Sequence, residues 1–86
     1  MPEISRFLGI IVAMYYQDHA PPHFHVRYGD SRASISVETL EILEGNLPSR
    51  ILSLVLEWAS LHRKELFEDW KLAAEKRPLK GIEPLV

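Results

Sequence analysis

Hydrophobic and polar positions change rhythm twice along this chain. From Phe7 to Tyr16 the residues FLGIIVAMYY are almost continuously apolar, rich in β-branched and aromatic types. This predicts a strand over about 7–17, buried on both faces and central in its sheet. Pro21 and Pro22 cannot continue a ladder, so a loop follows. From His23 the pattern alternates: Phe24, Val26 and Tyr28 point one way and His23, His25 and Arg27 the other. After the turn residues Gly29 and Asp30, Ala33, Ile35 and Val37 alternate against Arg32, Ser34 and Ser36. The two runs predict a hairpin with strands at about 23–29 and 32–38. A further short strand is expected at about 40–44, closed by Gly45 and Asn46.

Beyond Pro48 the period lengthens to that of a helix, and no Gly or Pro follows until Pro78. The helical region spans about 48–76, as one long helix or as two with a bend near His62. Ile51, Val55, Trp58, Ala59, Leu66, Trp70 and Ala73 share its apolar face. The tail over 77–86, with two prolines and a glycine, is expected to run extended over the surface. The fold class is therefore α+β, a small antiparallel three- or four-stranded sheet with helix packed on one face.

Eighty-six residues suit one domain with one modest core. With 47% hydrophobic and 26% charged residues the balance is that of a globular chain, and the absence of cysteine excludes disulfides and thiolate metal sites. A net charge of −2 provides no global attraction to nucleic acid, so anion binding must come from a local patch. FLGIIVAMYY is far shorter than the roughly 20 residues of a membrane helix, and no secretory signal pattern is visible. A cytoplasmic protein without membrane contact is the expectation.

The polar side of the hairpin carries the chemistry. His23, His25 and Arg27 share a face with Arg32, Ser34 and Ser36, whichever of two registers the turn selects. A Gly29-Asp30 turn sets Arg27 opposite Arg32, which like-charge repulsion disfavours unless an anion lies between them; an Asp30-Ser31 turn sets Arg27 opposite Ser34. Guanidinium, imidazole and hydroxyl groups with no carboxylate suit phosphate. Three functional readings compete with a plain solvated strand face. Arg27, Arg32, Ser34 and Ser36 could bind the anion. His23 and His25 could act as an acid–base pair cutting RNA without metal. Alternatively His23 and His25, two apart on a strand, could chelate zinc or another divalent transition metal, with His19 or Asp18 folded back as third ligand. Only this last reading calls for a cofactor.

His62 interrupts the apolar helical stripe, with Asp69 two turns later on the same side. Local pairing of His62, with Glu65 nearest, is the expected outcome. Trp58 and Trp70 read as core anchors, and Tyr15 and Tyr16 receive no role. The apolar stretch from Leu40 to Leu47 offers an edge on which a partner could dock.

The opening M-P-E-I-S-R-F, the D-H-A-P-P-H-F-H block and the L-E-W-A-S-L-H helix followed by I-E-P-L resemble a large bacterial and phage-associated family of short proteins known as a domain of unknown function. The resemblance covers essentially the entire chain. It implies a cytoplasmic protein commonly encoded beside a second small protein, an arrangement that looks like a toxin–antitoxin module. A protein partner, with RNA or DNA as target, follows from that likeness, and a homodimer stays open. Asp18, His19, His23, His25 and His62 carry over as motif positions, with no role supplied. Two positions depart from the family pattern: Leu8 stands where relatives often have an aromatic residue, and Asp69 where many have asparagine. The resulting expectation is a module component that binds a partner and RNA through the His/Arg/Ser face; the alternatives are a histidine-ligated metalloprotein and a non-catalytic interaction module.

Overall fold

The computed structural model describes residues 2–86. Five strands, β1 (Glu3–Phe7), β2 (Ile10–Ala13), β3 (His23–Tyr28), β4 (Ser31–Ser36) and β5 (Ile42–Asn46), form one antiparallel sheet in sequential order. Two helices follow, α1 (Ser49–Leu61) and α2 (Arg63–Ala74). The class is α+β, with five strands where three or four were expected.

The extra strand comes from the apolar run. The single strand expected over about 7–17 is instead a hairpin, because Leu8 and Gly9 both take positive φ (51° and 79°) and reverse the chain between Phe7 and Ile10. Two consecutive positive-φ residues are the signature of a tight hairpin turn whose twist matches its strands. Leu8 pays no burial penalty there, being 58% exposed, but its apolar character hides the turn in a hydropathy pattern. The strand expected at 40–44 lies at Ile42–Asn46, so Gly45 and Asn46 belong to the ladder rather than to a turn. Between β3 and β4 the turn is Gly29-Asp30, and Arg27 stands directly opposite Arg32.

One face of the sheet is apolar. Ile10, Val12, Phe24, Val26, Ala33 and Ile35 are buried there, against Ile51, Val55 and Trp58 of α1 and Leu66 of α2. The helical region breaks at His62, whose φ of −124° and ψ of 23° leave the helix. Its Nδ1–H donates to Glu65 Oε1 at 2.6 Å. Glu65 occupies the first turn of α2, where the helix dipole favours a carboxylate. Among the described residues no helix is long and apolar enough to cross a membrane.

The tail beyond α2 straps the layers together. Ile82 is buried and its N–H donates to the Ile4 carbonyl at 2.7 Å, extending contact to β1. Trp58 Nε1–H donates to the Glu83 carbonyl at 2.8 Å, and the Lys80 N–H donates to Asp69 Oδ1 at 2.9 Å.

Asp69 is buried, and its Oδ2 has no hydrogen-bond partner among the described residues. Burial raises its carboxyl above the usual aspartate range and Glu68 and Glu65 add to this, against the opposing pull of the Lys80 N–H and charge. A folded-state pKa raised above the unfolded one favours folding at low pH, and that contribution is lost as pH rises through the raised value. Asp69→Asn keeps the acceptor for Lys80 and removes the ionisation. The variant should be more stable than the parent at pH 7 by about 1 kcal/mol, a Tm rise of about 4–8 °C for a domain of this size. The gain should shrink to nothing in acid. Thermal melts of both proteins across pH check this; an equal gain at every pH would refute the ionisation as its cause.

Candidate functional site

The sheet face opposite α1 is the polar one, and strand parity determines what it displays. Ile11, Ala13 and Tyr15 come from β2 and its continuation, His25 and Arg27 from β3, Arg32 and Ser34 from β4, and Glu44 and Gly45 from β5. Together they line a concavity of about 280 Å³. Arg27 and Arg32 are ladder partners, which sets their Cβ atoms about 5 Å apart. Both are exposed, and neither has an ion-pair partner among the described residues. Ser34 is the ladder partner of both His25 and Glu44, and its Oγ lies 3.3 Å from His25 Nδ1.

A carboxylate reaches this face from the loop, contrary to the expectation of a face without one. Asp18 Oδ2 lies 2.9 Å from His23 Nε2 and 3.0 Å from His25 Nε2. Its other oxygen, Oδ1, accepts the His19 N–H at 2.9 Å. Burial works to raise the Asp18 carboxyl, but hydrogen bonds from His25 and the His19 N–H, with the charge of His23, outweigh it and hold the group below the usual aspartate range. Glu44 is a second carboxylate bordering the concavity.

The sequence-derived residues divide into three groups. Arg27, Arg32, Ser34 and His25 meet in the concavity. His23 is buried beside it: Nδ1–H donates to the Pro21 carbonyl at 2.7 Å, and the ring packs on Trp70 at 5.2 Å between centroids. His23 and His25 lie together, 5.0 Å between ring centroids and both on Asp18 Oδ2, but only His25 borders the concavity. Ser36 is buried opposite His23, and its Oγ accepts the Thr39 N–H at 3.2 Å. His19 projects into solvent, its side chain 86% exposed, with Nε2 3.7 Å from Asp18 Oδ1. His62 sits at the helix junction, paired with Glu65. The three groups placed to hold a metal ion are Asp18, His23 and His25, each with a ligand atom within 4.8 Å of the others. Of the two third ligands left open by the sequence, His19 and Asp18, the set contains Asp18.

Tyr15 and Glu44 escaped the sequence reading. The Tyr15 ring packs against His25 at 4.1 Å between centroids. Its signal was its parity with Ile11 and Ala13 on β2. For Glu44 no local signal exists, because the irregularity between Ser34 and Ile35 sets its register.

A family model described as "Domain of unknown function (DUF4160)" matches residues 9–71, a span holding every residue of the concavity and the Asp18–His23–His25 cluster. No curated protein and no solved structure matches the chain.

Proposed function

Because the chain belongs to the DUF4160 family, a domain of unknown function, we propose its function from the open sheet face: it binds a phosphate-bearing ligand, RNA foremost, in the concavity of β2 to β5. The observation that carries this reading is the direct opposition of Arg27 and Arg32, both exposed and without ion pairs among the described residues. Two unpaired guanidiniums facing each other repel, and a phosphate between them turns that repulsion into two forked hydrogen-bonded contacts. Ser34 adds a hydroxyl beside them, His25 borders the same concavity, and Tyr15 offers a ring at the rim. Glu44 on β5, the ladder partner of Ser34, opposes an anion seated near it, which favours a single phosphate group at the arginines over a long tract of backbone. A chain acting on cellular RNA works in the cytoplasm.

Fluorescence anisotropy with labelled single-stranded RNA tests this. Arg27→Ala and Arg32→Ala should each weaken binding about tenfold, the loss of a charge-assisted contact. The double variant should flatten the slope of log affinity against log salt by about 0.7, the value for one neutralised phosphate on a single strand. Unchanged affinity and slope in the double variant would exclude this face.

The two-gene arrangement of the family adds a protein partner to the proposal. Its support in the fold is β5, an edge strand with Leu43 exposed beside the concavity wall. Co-elution with the neighbouring gene product in size-exclusion chromatography is the expected result, and separate elution would count against it.

A further inference from the structure

We propose that Asp18, His23 and His25 bind one divalent transition metal ion of the zinc class. Both Nε2 atoms converge on the same Asp18 oxygen, at 2.9 and 3.0 Å. The tautomer of His23 makes this more than a hydrogen-bonded cluster. The Pro21 carbonyl only accepts, so His23 Nδ1, 2.7 Å away, carries the ring proton. Nε2 is then the ring atom that faces the Asp18 oxygen, and the space between the two is a place for a positive charge, a proton or a metal ion. A ligating histidine whose other nitrogen donates to a backbone carbonyl has this arrangement. His25 is free to follow, because its Nδ1 faces the Ser34 hydroxyl, which accepts as readily as it donates.

The spacing fits a metal. Ligands about 2.0–2.1 Å from a tetrahedral ion stand about 3.3 Å from one another. The Asp18 oxygen needs to separate from each imidazole by only a few tenths of an ångström to admit it, and all three ligand atoms lie within 4.8 Å of one another. The surroundings hold the rings in place: His23 against Trp70, His25 against Tyr15, and the carboxylate by the His19 N–H. Two imidazoles and one carboxylate suit zinc, cobalt or nickel and do not suit magnesium or calcium, which take oxygen ligands. Arg27 is the nearest opposing charge on β3, two residues along from His25 and so about 7 Å away. Three protein ligands leave a fourth position for water or an incoming oxygen, and His25 borders the concavity. The ion therefore requires nothing of the RNA reading, although it would stand beside the same face.

The test is titration of tag-free protein, stripped with a chelator, with zinc by calorimetry and with cobalt(II) by visible absorption. Saturable uptake of one equivalent, with the intense d–d bands of a low-coordinate cobalt site, is expected. Asp18→Asn and His25→Ala should weaken it by more than the roughly 10–100-fold that loss of an outer-shell partner brings, and Ser34→Ala by no more than that range. His19→Ala, His62→Ala and the Arg27→Ala/Arg32→Ala pair should bind as the parent does. The double arginine variant thereby separates failure of this site from failure of the RNA reading. No saturable uptake by the parent protein would overturn the proposal whatever the variants' folding, with a proton on His23 then bridging it to Asp18. Uptake that survives Asp18→Asn and His25→Ala, or that depends on His19, would overturn it too.

Discussion

Trp58→Ala should leave this protein at the edge of unfolding at 37 °C. The indole is fully buried where sheet, helix and tail meet, with Phe7 at 5.9 Å, Phe24 at 6.1 Å and His62 at 5.7 Å between ring centroids. Removing a buried tryptophan costs about 3–5 kcal/mol, the lost transfer energy plus the cavity left behind. Whole domains are stable by about 5–15 kcal/mol, and one of this size belongs near the lower end. The truncation also removes the N–H that holds the Glu83 carbonyl, and with it one of the ties of the tail. In urea, with a slope of about 1 kcal/mol per molar, the midpoint should fall by about 3 M. Trp58→Phe keeps most of the packing and loses only the tie, so its midpoint should fall much less. Circular dichroism through the denaturant series checks both. A loss below about 1 kcal/mol for the alanine variant would contradict the packing described.

The second large effect belongs to a glycine that no hydropathy pattern identifies as structural. Gly45 lies in β5 at φ 81°, and a Cβ there would stand 2.2 Å from the Arg32 carbonyl oxygen and 2.9 Å from the Ala33 Cα. Both obstacles are backbone, so they move only if β4 and β5 separate. The positive φ alone costs a non-glycine residue about 1–2 kcal/mol, and the clash adds to it. Gly45→Ala should therefore release β5 from the sheet, which takes Glu44 out of the concavity wall and frees the strand carrying Arg32 at its edge. Amide exchange should accelerate along β4 while the two helices keep theirs. Gly29→Ala is the matched control, with a comparable φ of 57° and nothing within 4 Å of its Cβ. It should pay the conformational cost without opening the sheet. If the two variants are equally stable, the close approach at Gly45 carries no weight.

Legibility differed by residue for physical reasons. The alternation around His25 and Ser34 could be read directly, because a strand's side-chain period is two whatever its neighbours do. That parity placed Arg27 and Arg32 on one face under either register. Which register holds depends on the turn, and composition does not distinguish Gly29-Asp30 from Asp30-Ser31. The reversal at Leu8–Gly9 was masked because the turn carries an exposed leucine inside an apolar run. The helical stripe was legible, but periodicity left open one long helix or two with a bend near His62, because the stripe does not show where a helix stops. Asp69 was visible only as a polar residue on that stripe. Its burial and its bond to the Lys80 N–H depend on where the tail returns.

The sequence by itself determined the local quantities: the α+β class, the apolar faces of β3, β4 and the helical region, and the membership of the His/Arg/Ser strand face. Each follows from periodicity, which acts over a few residues and needs no partner. Only the tertiary structure decided which of those residues meet. It turned Asp18 onto both His23 and His25 and sent His19 outward. It buried Ser36 and brought Glu44 from another strand. Those outcomes depend on loop path, register and the return of the tail, which are settled by contacts between residues far apart in the chain.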